Sequence, residues 1–173
     1  QQRSRALDSQ VSSSAALLRN YALLMLLSNA NASGVVPEME RIGLRFPHRL
    51  FCVAAAMPEG EQAVFVENMD AAVDSLEDKD VGSLYAVECS RKNHTLAVLC
   101  NAEQPEQLEM LLQRLHAYLN CQPIRFTVGV GQTVESLTGV PSSYLTALDN
   151  MQRDAEQSAA RRQQPSGNIS DTA

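Results

Sequence analysis

The chain has 173 residues with 45% hydrophobic content, enough for one domain with a normal core and short appendages. Its net charge of −6 is unevenly distributed, because residues 37–151 carry eight basic and sixteen acidic side chains. Since so acidic a body repels phosphates, we expect this fragment to make no direct nucleic-acid contact.

Cysteine usage and hydropathy bear on the cellular compartment. The four cysteines, Cys52, Cys89, Cys100 and Cys121, include no C-x-x-C pair, and the first three fall in apolar, strand-like runs. This pattern predicts buried thiols in a reducing, cytoplasmic compartment, although one disulfide pair stays possible. The longest apolar run, Tyr21–Leu27, is far shorter than the roughly 20 residues of a membrane span. A membrane anchor would therefore have to come from an upstream segment.

Residues 1–34 are predicted to form an N-terminal linker or signalling helix. Apolar and small residues recur at alternating spacings of four and three, as in a coiled-coil seam: Leu7, Val11, Ser14, Leu18, Tyr21, Met25 and Ser28. Two interpretations stay open. The helix either lies on its own domain, or forms a homodimer through Leu7, Val11, Leu18, Tyr21 and Met25.

The remaining chain predicts alternating strands and helices. A short helix over Pro37–Leu44 precedes Leu50–Met57, an uninterrupted apolar run typical of a strand buried on both faces. The elements that follow are a helix Glu61–Asp80, two strands Ser83–Cys89 and Thr95–Asn101 joined as a hairpin, a helix Pro105–Leu119, a strand Ile124–Val130 and a helix Val140–Arg162. Residues 163–173 are a polar stretch that we interpret as a flexible linker.

The order β-α-β-β-α-β predicts an α+β class, specifically a ferredoxin-like sandwich with an antiparallel sheet and helices on one face. This order, with Phe126-Thr-Val-Gly-Val-Gly131 and Ser143-Tyr-Leu-Thr-Ala-Leu148, resembles the GGDEF family of diguanylate cyclases. It is more similar to the degenerate domains of AraC-type, and also PucR- and CdaR-type, bacterial transcription regulators. The resemblance covers Met39 to Met151 and implies a nucleotidyl-cyclase-like domain over residues 35–162.

Departures from the cyclase pattern imply that this domain is not an enzyme. The resemblance would place two glycines and acidic metal ligands at the hairpin tip, but the chain has Ser90-Arg-Lys-Asn-His94 there. It would also place a metal-binding Asp on the first strand, where Cys52–Met57 contains none. We therefore expect no catalytic residues, no metal site and no cofactor.

Other candidate chemistry is weak. His48, His94 and His116 lack the spacing of zinc ligands, and Ser142-Ser143 after Pro141 is interpreted as a helix cap. Gly129-x-Gly131 lacks the third glycine of a dinucleotide-binding fingerprint. Two surfaces stay open: Arg91 and Lys92 could bind an anion, and an acidic helix face could be solvated or dock a basic partner. That face comprises Glu67, Asp70, Asp74, Glu77 and Asp78.

Two functions follow as hypotheses. The first is a regulatory, dimerising module that relays a signal to a DNA-binding domain absent from this chain. The second is a sensor that binds a nucleotide or metabolite in the former nucleotide cleft.

Overall fold

The computed structural model describes residues 17–28, 39–59, 76, 78, 80–89 and 94–163. Helix α1 includes residues 17–28. It is followed by strands β1 (Leu50–Pro58), β2 (Ser83–Glu88) and β3 (Leu96–Ala102), helix α2 (Pro105–Asn120), strand β4 (Phe126–Val130) and helix α3 (Val140–Gln163). Short 3-10 turns occupy Glu40–Ile42 and Leu137–Gly139.

The four strands form one antiparallel sheet in the order β2-β3-β1-β4. Strand β1 is central: it pairs with β3 from Leu50 opposite Ala102 to Ala56 opposite Leu96. On its other side it pairs with β4, from Ala54 opposite Val130 to Pro58 opposite Phe126. The α+β class and the antiparallel sheet predicted from the sequence are confirmed.

Each face of the sheet carries its own hydrophobic cluster. The even-numbered residues of β1 and β3 pack against four leucines of α2: Leu108, Leu111, Leu115 and Leu119. The odd-numbered residues of β1 pack on the opposite face, with α1 and α3. Helices therefore cover both faces of the sheet, whereas the predicted sandwich had helices on one face only. The reason is that β1 is apolar at every position from Leu50 to Met57, so both of its faces need cover.

Most element bounds agree with the sequence to within two residues, and the exceptions have local causes. Of the described residues of the predicted helix Pro37–Leu44, Met39–Ile42 are helical, and Gly43 ends the turn with a φ of 86°. Residues 61–75, 77 and 79 of the predicted helix Glu61–Asp80 lie outside the described residues. The described residues at its predicted end are not helical, because Leu76 is in a turn and Asp78 forms a bridge with Gly82.

Candidate functional site

The hairpin tip expected to carry the altered cyclase motif lies mostly outside the described residues, which include neither Arg91 nor Lys92. At its base the Nδ1 of His94 lies 3.3 Å from a carboxylate oxygen of Glu88. Of the predicted acidic face, Asp78 alone is described; it accepts a 3.0 Å hydrogen bond from Arg114 of α2. That bond and the backbone N–H of Asp80 hold the pKa of Asp78 below its ordinary value.

The end of β1 adjoins this hairpin, because Ala56 pairs with Leu96 at the start of β3. The first carboxylate after the apolar strand is Glu59, which accepts a 3.0 Å hydrogen bond from the Thr127 hydroxyl. Beside it a cavity of about 380 Å³ is lined by Glu59, Arg125, Phe126, Asp154, Ser158 and Arg161. Among the described lining residues, two acids and two arginines balance in charge. In the part of the chain that the structure describes, His, Cys, Asp and Glu side chains form no group of three that could hold a metal ion.

The Gly129-x-Gly131 pattern has a packing role in this fold. A Cβ added at Gly129 would collide with backbone atoms of α3, including the Cα of Met151 at 2.7 Å and the carbonyl oxygen of Ala147. A Cβ added at Gly131 would meet the Ser143 hydroxyl at 2.7 Å and the Ser143 carbonyl. The two glycines therefore let α3 lie directly on β4.

The prediction that Ser142-Ser143 caps the last helix is wrong for Ser143, which instead links α3 to the sheet. Helix α3 already begins at Val140, and Ser143 lies buried within its first turns. Its hydroxyl accepts a hydrogen bond from the N–H of Val53 at 3.0 Å and donates one to the carbonyl of Gln132 at 2.7 Å. The Ser143 hydroxyl is thus the hydrogen-bond acceptor for the backbone N–H of Val53 in β1, at the point where the neighbouring strand β4 has ended.

Helix α1 has two apolar faces. Its inner face belongs to the core, since Ala22, Leu23, Leu26 and Leu27 are each at most 3% exposed. Its outer face is solvent-exposed, with Leu17 69%, Leu18 56% and Tyr21 63% exposed. Of the described residues of the predicted seam, Leu18, Tyr21 and Ser28 are exposed on this outer side, and Met25 is partly buried at its border. Leu7, Val11 and Ser14 lie outside the described residues.

The described cysteines are all free thiols. Of the three predicted to be buried, Cys52 and Cys100 are buried and Cys89 is partly buried; Cys121, which lies outside the strand-like runs, is exposed. Cys52 and Cys100 face each other across β1 and β3. Burial raises the pKa of Cys52 to about 11 and that of Cys100 well above 9.0. Such thiols form little thiolate at neutral pH.

The antiparallel four-stranded sheet and its helices form an α+β domain that is consistent with a GGDEF-like fold. The family model of the GGDEF-like domain matches residues 28–152, and the chain belongs to this family. No curated protein and no solved structure matches the chain. None of the described helices is both long enough and apolar enough to cross a membrane.

Proposed function

We propose that this chain is a non-catalytic regulatory and dimerising module of a bacterial transcription regulator of the AraC type. In this proposal α1 brings two copies together and relays a signal through the GGDEF-like body. A DNA-binding domain beyond Ala173 in the parent protein then receives that signal. The observation that carries the proposal is the apolar outer face of α1.

A single helix that packs on a domain normally exposes polar residues on its outer side. Helix α1 instead exposes three leucines and a tyrosine there, Leu17, Leu18, Leu24 and Tyr21, while its inner face packs in the core. Of these, Leu18 and Tyr21 fall on the four-three spacing that begins at Leu7, and Leu17 and Leu24 lie beside it. A self-complementary stripe of this period fits a second copy of the same helix.

Helix α1 is suited to relaying a signal because it packs against the body. Because Leu23 and Leu26 are 1% exposed against the sheet, a rotation of α1 in a dimer would disturb the core on the β1 face. That face also holds α3, whose end leads toward the following segment. We therefore expect a register change at the dimer seam to reach α3 through shared packing.

Two substitutions test the dimer. Leu18→Asp places a charge on the outer face of α1, and we expect it to convert a dimer to a monomer in sedimentation velocity. Leu145→Asp is the matched control, because Leu145 is a 66% exposed helical leucine on α3, outside the seam. A wild-type protein that stays monomeric at high concentration, or equal dissociation by both variants, would contradict the dimer.

The non-catalytic assignment is supported by the residues at the two cyclase positions, Ser90–His94 and Cys52–Met57, which contain no carboxylate. We expect no cyclic dinucleotide when the protein is incubated with GTP and Mg²⁺. Formation of that product would contradict the assignment.

The transcriptional role is tested on the full-length parent. We expect it to encode a helix-turn-helix domain after this module, and Leu18→Asp in that protein to weaken binding to its operator DNA. The alternative, that the domain is a sensor which binds a nucleotide or metabolite in the former cleft, stays a prediction. The cavity at the end of β1 is lined by both acidic and basic side chains, and this mixed charge does not favour the sensor.

A further inference from the structure

Residues 41–49 are the most basic stretch of the body. Arg-Ile-Gly-Leu-Arg-Phe-Pro-His-Arg contains three arginines, one histidine and no acidic residue. The surrounding segment 37–151 has only eight basic side chains against sixteen acidic ones. Three of those eight therefore lie within nine residues, on the connection that leads into β1.

This stretch borders a cavity at the end of the sheet opposite the hairpin. The cavity has a volume of about 500 Å³ and is lined by Gly43, Arg45, Pro47, His48, Gly82, Ser83 and Tyr85. A volume of this size suits a small molecule. Among the residues that the structure describes, no carboxylate lines it. Nearby, Glu103 lies 3.8 Å from the Nδ1 of His48 and accepts a hydrogen bond from the backbone N–H of Arg49.

Buried polar side chains hold the wall of the cavity in place. The Tyr85 hydroxyl accepts a hydrogen bond from the Arg45 N–H at 3.0 Å and donates one to the Arg45 carbonyl at 2.9 Å. Asn101, which is fully buried, binds both the N–H and the carbonyl of His48, at 3.1 and 2.9 Å. The backbone of this loop is therefore fixed before any ligand arrives, which lowers the entropic cost of binding.

Two glycines line the cavity. Gly43 has a φ of 86°, a left-handed conformation, and a Cβ there would meet nothing within 4 Å. Gly82 admits no side chain, because an added Cβ would collide with the carbonyl oxygen of Asn101. The residue that precedes β2 can thus lie close against the end of β3.

The Arg45 side chain is exposed, and among the described residues its guanidinium takes part in no ion pair. Arg49 differs, since it lies 3.3 Å from a carboxylate oxygen of Glu135. A guanidinium is a rigid fork of donors that matches the oxygens of a phosphate or a carboxylate. Arg45, with His48 and the Ser83 hydroxyl beside it, therefore supplies the donors that an anion requires.

We propose that this cavity binds a small anionic ligand, one bearing phosphate or carboxylate groups, with Arg45 as its main charged contact. A concave cavity within an acidic body favours a small anion over a nucleic-acid strand, which needs an extended basic surface. The site is separate from the hairpin and from the outer face of α1. Tyr85 nevertheless connects it to α1, because the guanidinium carbon of Arg19 lies 5.8 Å from the centre of the Tyr85 ring.

The test is a titration of the ¹⁵N-labelled protein with sodium pyrophosphate and, in a second arm, citrate, both against sodium chloride at equal ionic strength. We expect saturable shifts of the Gly43, Arg45 and Ser83 amides with a Kd of about 1 mM or tighter for at least one anion. The arm with the lower Kd identifies the anion class. Arg45→Gln should weaken that binding about tenfold or more, since it removes a charge-assisted contact.

Arg49→Gln is the matched control, because it removes another exposed arginine charge from the same stretch outside the cavity, and its Kd should stay within about twofold of the wild type. Amide spectra of both variants report whether the fold is intact. The proposal is overturned if neither anion binds, if Arg45→Gln and Arg49→Gln weaken binding equally, or if the shifts map to Arg91 and Lys92 or to the Arg125 cavity. Since the dimer is measured separately through Leu18→Asp, failure of one proposal does not decide the other.

Discussion

At the residue scale, Gly129 sets how closely α3 approaches the sheet. We expect Gly129→Ala to destabilise the domain by about 3 kcal/mol, the upper end of the cost of overpacking, because the obstructing atoms belong to the helix backbone and cannot rotate away. Urea unfolding followed by circular dichroism measures the change.

Gly43→Ala is the control for that substitution. The added Cβ meets no atoms within 4 Å. The substitution should therefore lower the free energy of unfolding by only about 1 kcal/mol, the cost of placing an alanine in the left-handed conformation. A Gly129→Ala variant no less stable than Gly43→Ala would show that α3 does not lie directly on β4.

The buried thiol of Cys52 gives a pH-dependent prediction. Its pKa is raised by burial from 9.0 to about 11, so the native state keeps a proton that the unfolded chain releases within this window. The stabilisation is complete below pH 9 and falls as the pH rises to about 11, by at most about 2.7 kcal/mol. We expect the free energy of unfolding to decrease more between pH 8 and pH 10.5 in the wild type than in Cys52→Ala. Identical decreases would contradict the raised pKa.

At the element scale, α1 contributes to the core of the body. Leu23 is 1% exposed, and we expect Leu23→Ala to cost about 2–5 kcal/mol of unfolding free energy, as for other buried leucines. Leu17→Ala, on the outer face at 69% exposure, should change the stability of the monomer by less than about 0.5 kcal/mol. Chemical denaturation in the Leu18→Asp background separates folding from association. If Leu23→Ala and Leu17→Ala both changed the free energy of unfolding by similarly small amounts, α1 would not be packed against the sheet.

The sequence predicted most elements of the sheet because their signals are local. The uninterrupted apolar run of β1 and the leucine spacing of α2 identify those elements without knowledge of the tertiary structure. The positions of α1 and α3 on the second face were missed, although the all-apolar pattern of β1 already required a cover for both faces.

The features of the candidate sites were harder to predict because they depend on contacts between distant residues. Ser143 meets Val53 only after β4 ends, across 90 positions of the chain, so its sequence neighbours suggested a helix cap. Likewise, Tyr85 and Asn101 fix the loop at Arg45 and His48 from 40 and 53 residues away. The basic run 41–49 was the one local signal for the cavity.

At the scale of the whole molecule, the proposals place separate tasks on separate surfaces. We propose that the outer face of α1 associates with a second copy and that the cavity at Arg45 binds an anion, while Gly129 and Gly131 let α3 pack directly on the sheet. Tyr85 contacts both Arg19 of α1 and the loop that borders the cavity. The GGDEF-like family supplies the body on which these surfaces lie.

Disulfide crosslinking tests the central claim, dimerisation through the outer face of α1, most directly. A symmetric parallel seam places each residue beside its own copy, so Tyr21→Cys should yield a covalent dimer when the protein is oxidised with diamide in a Cys121→Ser background. Leu145→Cys is the control, since Leu145 is 66% exposed and Tyr21 63%. We expect efficient crosslinking for Tyr21→Cys alone. The yield should not change on dilution as long as the protein concentration stays above the dimer Kd. Failure of Tyr21→Cys to crosslink, or equal crosslinking of both variants, would contradict this mode of dimerisation.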